Sequence, residues 1–383
     1  MNIFLVAGEP SGDLLGARLM QALKTQRSDI AFSGVGGSRM AAEGLTSLFP
    51  MSDLTLFGLA ELLPKIPNLL RRIAQTAKAI REQKPDVVVT IDAPDFCFRV
   101  AKRLQGSGIR FVHYVAPTVW AWRPGRAQKI QPLLQHLLAL FPFEPPYFER
   151  AGLPCTFVGH PLLEAGIEHS SAERLRAKYA IAPDRPILVV LPGSRRSELK
   201  QLLPEFAGVI RELTAKYPAL KIILPTLPHY AERMAQEVKN WGGADVLVIT
   251  GDEDKYDAFK AARCALAASG TVALELGLAA TPAVIAYKIH PLTAALYRRF
   301  VKTPFANLVN IMAGRMVVPE YLQENCTQKN LQSAVETLLT SDQACAEQIS
   351  VLNEVRSWLA VGNGNAPSCE AAQTVLKVAE QKI

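Results

Sequence analysis

Along the first 160 residues, short runs that are apolar at nearly every position alternate with longer stretches whose apolar residues recur every three to four positions. Runs at 3–7, 31–35, 87–91, 111–115, 137–140 and 156–158 predict β-strands. Several lack period-two alternation, the pattern of strands covered on both faces. Residues 14–25 and 69–83 follow the helical period and fall between strands. This alternation predicts a parallel, doubly wound sheet. A polar interval around 169–185 interrupts the rhythm. It restarts with strand candidates at 187–191, 222–225, 246–249, 265–267 and 283–287, and from about Lys329 the pattern reads as consecutive helices.

The chain therefore reads as α/β, with two Rossmann-like doubly wound parallel-sheet domains and a helical C-terminus. The expected divisions are 1–165, 166–345 and 346–383. Its 383 residues suit two or three domains of ~150 residues each. Ligands bind outside the carboxyl ends of strands in open parallel sheets. The default site is thus a central cleft faced by both domains.

Composition narrows the partners. A chain 49% hydrophobic and 20% charged buries a sizeable core. A net charge of +7 suits an anionic partner: a nucleotide, a nucleic acid or an acidic membrane surface. The six cysteines show no CxxC and no histidine at metal spacing, so they read as reduced core thiols and no zinc site is expected. The first residues lack a basic signal-peptide region, and no run of ~20 apolar residues offers a membrane span. A lipid substrate would have to be reached from the membrane surface.

Several motifs sit where strands end. Gly8-Glu9-Pro10-Ser11-Gly12-Asp13 leads into a helix, and either lines a substrate or is a plain turn capped by Ser11 or Asp13. Asp92 ends an apolar strand in Ile91-Asp92-Ala93-Pro94-Asp95-Phe96. Partial desolvation there would make it a general base; alternatively Asp92 or, more in keeping with its place, Asp95 merely caps the next helix. Trp120, Trp122 and Arg123 fall in a post-strand loop, where stacking on a sugar, wedging an acyl chain or packing under a helix would each explain them. Gly193, Ser194 and Arg195 open the second half, with amides and a guanidinium suited to a diphosphate. Ser269, Gly270 and Thr271 form a strand-to-helix turn that can hold a phosphate, and Glu275 one turn later either accepts both ribose hydroxyls or is a surface or salt-bridged residue of that helix. Asp252-Glu253-Asp254 imitates a metal-binding DxD, but its place before a helix favours a dipole-complementing role. His160 and His290 read as packing or linker residues, and neither HExxH nor GxSxG is present. Residues 56–72, with Phe57, Arg71 and Arg72, combine apolar and basic groups. They suit either a surface element dipping into a membrane or an ordinary core helix pair, and 296–302 pose the same choice.

Together these motifs, with Asn310 through Gly314-Arg315 to Gln323, resemble the lipid-A-disaccharide synthase family over nearly the whole chain. Pro10 and Val309 depart from the family pattern. The resemblance implies a GT-B type, inverting, metal-independent glycosyltransferase that needs no cofactor. It would join UDP-2,3-diacylglucosamine to 2,3-diacylglucosamine 1-phosphate, giving a β-1,6 disaccharide and UDP. Asp92 would deprotonate the acceptor hydroxyl. Gly193, Ser194, Arg195, Ser269, Gly270, Thr271, Glu275, Asn310 and Gln323 would hold the donor. Glu9, Ser11, Trp120, Trp122, Arg123, Phe57, Arg71 and Arg72 would meet the acceptor or lipid. The first domain would serve acceptor and membrane and the second the UDP-sugar, with the C-terminal helices packed on the first domain or on a partner. Peripheral attachment to an anionic cytoplasmic face of the inner membrane is implied, nucleic acid is not, and a homodimer stays open. Rival readings are a UDP-N-acetylglucosamine 2-epimerase, a transferase of N-acetylglucosamine to a lipid-linked precursor, and a non-catalytic lipid- or nucleotide-binding protein.

Overall fold

The computed structural model describes residues 1–54, 59–120, 125–289 and 303–381. The chain forms two compact units, one of residues 1–164 with 359–383 and one of residues 165–358. Residues 346–358, grouped with the C-terminal segment by pattern alone, lie in the second unit.

The first unit is a seven-stranded sheet: β1 (Asn2–Ala7), β2 (Ala31–Val35), β3 (Thr46–Ser47), β4 (Val87–Ile91), β5 (Phe111–Tyr114), β6 (His136–Ala139) and β7 (Cys155–Phe157). All pairs are parallel and the order is β3-β2-β1-β4-β5-β6-β7. The central strands are apolar at nearly every position because both faces are covered, the buried Thr90 and His113 excepted. Phe4, Val6 and Val88 pack with Ile73, Ala77 and Ile80 of the helix Leu59–Gln83 and with Cys97 and Val100 of the helix Pro94–Arg103. Ile3, Leu5, Val87 and Val89 point the other way, against Leu19 and Leu23 of the helix Pro10–Gln26 and Ala372 and Val375 of the helix Pro367–Glu380. Each such buried aliphatic side chain contributes about 1.5–3 kcal/mol.

The second unit repeats the plan with β8 (Ile187–Leu191), β9 (Lys221–Pro225), β10 (Val246–Ile249), β11 (Cys264–Ala268), β12 (Ala283–Tyr287) and β13 (Glu320–Leu322). Their order is β10-β9-β8-β11-β12-β13, again all parallel. The strand order reverses between β1 and β4 in one sheet and between β8 and β11 in the other. Such a reversal opens a crevice at the carboxyl ends of the two strands, because their crossovers leave on opposite faces. The helix predicted from residue 69 begins at Leu59 and carries Pro64 and Pro67 within it. Among the described residues no helix is long and apolar enough to cross a membrane.

Candidate active site

Both reversal points carry the motifs expected to do chemistry. In the first unit, β1 runs into Gly8 and β4 into Asp92. Asp92 has φ +52° and Ala93 φ +42°, two consecutive non-glycine residues in the left-handed region. Val115, immediately after β5, has φ +81°. Such conformations cost of order 1–3 kcal/mol each and persist only where the surroundings impose them. The surroundings here are visible. The Asp92 amide donates to the Tyr114 carbonyl at 2.9 Å and the Val115 amide to Leu138 at 3.1 Å. Gly8 lies so close that an added Cβ would stand 2.7 Å from the Ala93 Cβ. The turn therefore presents Asp92 at the crevice, half-buried. Burial raises its carboxyl pKa above the ordinary range, opposed by the Ala93 amide. A carboxylate so placed holds an abstracted proton better than a solvated one.

Neither Asp92 nor Asp95 caps the following helix, whose N-cap is Ala93 without a side-chain bond. Asp95 points outward and pairs with Arg126 at 3.4 Å. Asp13 departs in a different way from its expected role as a local cap. It is buried and caps another helix, Ser38–Ala42, accepting the amides of Gly37, Arg39 and Met40 at 2.7, 3.0 and 3.1 Å. Glu9 and Ser11 are exposed at the start of the helix Pro10–Gln26, with Glu9 as its N-cap.

Trp120 is half-buried, edge-on to Phe143 at 5.2 Å, and its indole N–H donates to Glu144 at 3.3 Å. Glu144 also accepts the amides of Leu140 and Phe141, both at 3.1 Å, so it ties the tryptophan to the end of β6. Phe141 stacks on Phe143 at 5.4 Å and meets His160 at 5.2 Å. Trp122, Arg123, Phe57, His290 and residues 296–302 lie outside the described residues. Arg71 is exposed and bonds Asn68 at 3.0 Å. Arg72 is drawn inward to Asp53 at 2.8 Å and over the Phe49 ring at 4.5 Å, so it ties its helix to the turn Met51–Asp53.

In the second unit, Gly193 takes φ +113° after β8, a conformation that suits only glycine. The amides of Ser194 and Arg195 both donate to Glu198, at 3.1 and 3.2 Å, and the Arg195 guanidinium reaches the other Glu198 oxygen at 2.8 Å. The arginine side chain is otherwise open, 79% exposed. An anion-holding turn is thus formed, with Glu198 as its internal anion. After β11, the Ser269 amide donates to Ala286 at 2.9 Å and its hydroxyl to Ala306 at 3.4 Å. Gly270 and Thr271 are exposed at the N-terminus of the helix Val272–Leu278. Glu275, one turn on, is 13% exposed and pairs with Lys255 at 3.2 Å. Burial raises the Glu275 pKa even against that lysine.

Asn310 is fully buried and holds backbone. Its oxygen accepts the amides of Val317 and Val318 at 2.8 and 2.9 Å, and its nitrogen donates to the Val318 carbonyl at 2.8 Å. Gln323, at φ +51° beyond β13, accepts the Ile289 amide at 3.4 Å. The acidic triplet is engaged by cations: Asp252 with Lys255, Glu253 with Arg174, and Asp254 with Lys178. Among the described residues no group of three or more His, Cys, Asp or Glu is placed to hold a metal ion.

Sequence reasoning missed Glu144, Glu198 and Lys255. Glu198 sits at N3 and accepts the Arg195 amide, but an arginine at the N-cap has no acceptor to complete a capping box, so no sequence signature marked it. Lys255 did carry a signal, as a cation in a helical first turn where the dipole favours anions.

A family model described as Lipid-A-disaccharide synthetase matches residues 3–373. A lipid-A-disaccharide synthase from Rhodospirillum centenum is 57% identical over 385 residues, covering 100% of this chain and 95% of its own. One from Paramagnetospirillum magneticum is 45% identical, covering 100% and 98%. Among solved structures, UDP-GlcNAc 2-epimerase from Neisseria meningitidis bound to UDP-GlcNAc superposes with TM-score 0.63 at 12% identity, covering 98% of this chain and 99% of its own. MurG from Acinetobacter baumannii gives TM-score 0.60 at 13%, with the same coverage. At such identities these two share the GT-B fold and nothing more specific. The family model and the relatives, by contrast, match in sequence from one end to the other, and the chain belongs to the lipid-A-disaccharide synthetase family.

Proposed function

We propose that Asp92 is the general base of a disaccharide-forming glycosyl transfer. In this reaction the acceptor 6-hydroxyl of 2,3-diacylglucosamine 1-phosphate attacks the anomeric carbon of UDP-2,3-diacylglucosamine. The new C–O bond forms as the bond to UDP breaks, the configuration inverts, and the hydroxyl proton passes to Asp92. The observation that carries this reading is the left-handed Asp92–Ala93 turn, which sets a half-buried carboxylate at the sheet's reversal point.

Arg195, with Gly193 and Ser194, is the group suited to neutralise charge on departing UDP. Glu198 then acts as a placeholder that holds the turn in shape. Ser269, Gly270 and Thr271 offer a second phosphate turn, and Glu275 accepts the ribose hydroxyls. Asn310 shapes the donor pocket through the backbone at 317–318, beside Gln323. Glu9, Ser11, Trp120, Trp122 and Arg123 are assigned to acceptor recognition, and Phe57, Arg71 and Arg72 to the lipid. The net charge of +7 favours an anionic phospholipid surface at the cytoplasmic face of the inner membrane, to which the protein attaches peripherally. No metal or cofactor is assigned, and a homodimer is left to measurement.

The test is UDP release by the detergent-solubilised protein in EDTA, with and without acceptor, beside Asp92→Asn. Expected is acceptor-dependent release that survives EDTA and falls ~10²–10⁴-fold in the variant. Wild type that binds either lipid yet releases no UDP would overturn the transferase reading and favour a binding protein.

A further inference from the structure

We infer that Lys255 is a positioning residue for the nucleotide-sugar donor, fixing Glu275 so that each of its carboxylate oxygens keeps one lone pair for a ribose hydroxyl. The inference rests on the reading of Glu275 as the ribose acceptor. Lys255 is out of place as a surface residue. It lies in the first turn of the helix Asp252–Ala261, where the dipole disfavours a cation. Even so its side chain is folded inward, 19% exposed, across the ring of Tyr256 at 4.5 Å. The ammonium stands 3.2 Å from one Glu275 oxygen and 3.4 Å from the other. Asp252, mostly exposed, takes a third contact at 2.9 Å.

This geometry has a chemical consequence. An ionised carboxylate offers about four lone-pair sites, and the lysine, hydrogen-bonded to one oxygen and ion-paired with the other, takes at most one on each. At least one site per oxygen remains, matching the two hydroxyls of a vicinal diol. A protonated Glu275 would lose that symmetry, becoming donor on one oxygen and acceptor on the other. Burial pushes Glu275 toward that neutral form and Lys255 opposes it. The other groups near Glu275 cannot replace the lysine. Asp252 and Tyr256 share its helix and favour the protonated form or stay neutral. The turn Ile167–His169, packed on the Glu275 helix, brings Glu168, which pairs with Arg356 at 3.5 Å, and His169. β11 and β12 carry Cys264 and Tyr287 at their ends, and the helix Leu308–Ala313 carries no ionisable side chain.

The test measures binding of UDP and of 2′-deoxy-UDP by calorimetry to the full chain at pH 6 and pH 8.5. The proteins are wild type, Lys255→Met, Lys255→Arg, Glu275→Gln and the double variant Lys255→Met/Glu275→Gln. Wild type should prefer UDP over the deoxy nucleotide at both pH values. Lys255→Met should lose roughly tenfold in UDP affinity at pH 6, recover part of it at pH 8.5, and lose the ribose preference at the lower pH. Lys255→Arg should restore both. The double variant, whose neutral pair keeps it folded if the single charge removal does not, should bind UDP no worse than Glu275→Gln. Lys255→Met that binds like wild type at both pH values, or losses that add in the double variant, would overturn the inference while leaving Glu275 in place. A ribose preference that survives Glu275→Gln would instead overturn the Glu275 reading beneath it.

Discussion

Glu144 allows a calculation that a pH titration can check. Buried at the end of β6, it has three donors, yet burial outweighs them and its carboxyl is pushed up to about 7 from an ordinary 4.5. The folded value exceeds the unfolded one, so the folded chain holds this proton more tightly. The stabilisation is fully present below pH 4.5 and is lost as pH rises through 7. Relative to the protonated state, the penalty for ionising Glu144 is ~1 kcal/mol at pH 5 and ~3 kcal/mol at pH 8. Two buried histidines run the opposite way. Burial lowers His113 to about 3 and His160 to about 4, so both add stability as pH climbs toward their unfolded value of 6.5. The contribution of Glu144 must therefore be read as a difference from Glu144→Gln, which keeps both histidines. The amide retains an oxygen for Leu140 and Phe141 but turns an NH₂ toward the Trp120 indole, a cost that does not vary with pH. Urea unfolding followed by circular dichroism at pH 5, 6, 7 and 8 supplies the two curves. Wild type should lose ~2–3 kcal/mol relative to the variant between pH 5 and pH 8, and Trp120 emission in the folded wild type should titrate with a midpoint near 7. A difference that stays flat would refute the reasoning, because it would mean that the three donors fully offset burial.

Two further substitutions probe the framework under Asp92. Gly8→Ala places a methyl 2.7 Å from the Ala93 Cβ. It should cost ~1–3 kcal/mol in urea unfolding and lower UDP release more than that loss of stability explains, with Gly8→Ala/Ala93→Gly recovering both. A double variant as impaired as the single one would detach the Asp92 turn from Gly8. Asp13→Ala strands the amides of Gly37, Arg39 and Met40 beneath the surface. A loss of ~2–4 kcal/mol is expected by urea unfolding, with Asp13→Asn intermediate because one acceptor oxygen remains. Asp13→Asn as stable as wild type, beside a destabilised Asp13→Ala, would show that packing, not capping, is the role of Asp13.

The sheet interiors were legible because their physics is local. A strand covered on both faces is apolar at nearly every position, and 87–91, 187–191 and 283–287 coincide with β4, β8 and β12 to the residue, as 31–35 and 246–249 do with the partly buried β2 and the edge strand β10. The edge strands β7 and β10 were also found from apolar runs, whereas the edge strands β3 and β13, which carry no such run, were missed. Two or three residues paired on one side leave no periodic signal, and Glu320 in β13 turns its carboxylate to the amides of Ala306 and Asn307, which no pattern foretells. The long helix Leu59–Gln83 was cut short in the reading because Pro64 and Pro67 each remove an amide and ordinarily end a helix. The residues proposed for the site that follow strands, Asp92, Arg195, Ser269 and Glu275, were singled out from their position in the sequence alone. The partners that hold them could not be. Glu144 and Trp120 are 24 residues apart, and so are the two sides of the Asp13 cap at Gly37. Such pairs are made by the sheet and have no trace in local sequence.

The first unit is built from the beginning and the far end of the chain. The helix Pro367–Glu380 covers the face presented by Ile3, Leu5, Val87 and Val89. During synthesis on the ribosome this has a temporal meaning. At ~5–20 residues per second, translation of everything after residue 164 takes on the order of ten to forty seconds. Throughout that interval this face of the N-terminal sheet is covered by the helix Pro10–Gln26 alone, while the second unit, contiguous from 165 to 358, can fold as soon as it emerges. The usual order, in which the first domain made is the first completed, is reversed. Part of that apolar face thus stays open to aggregation until the helix Pro367–Glu380 arrives.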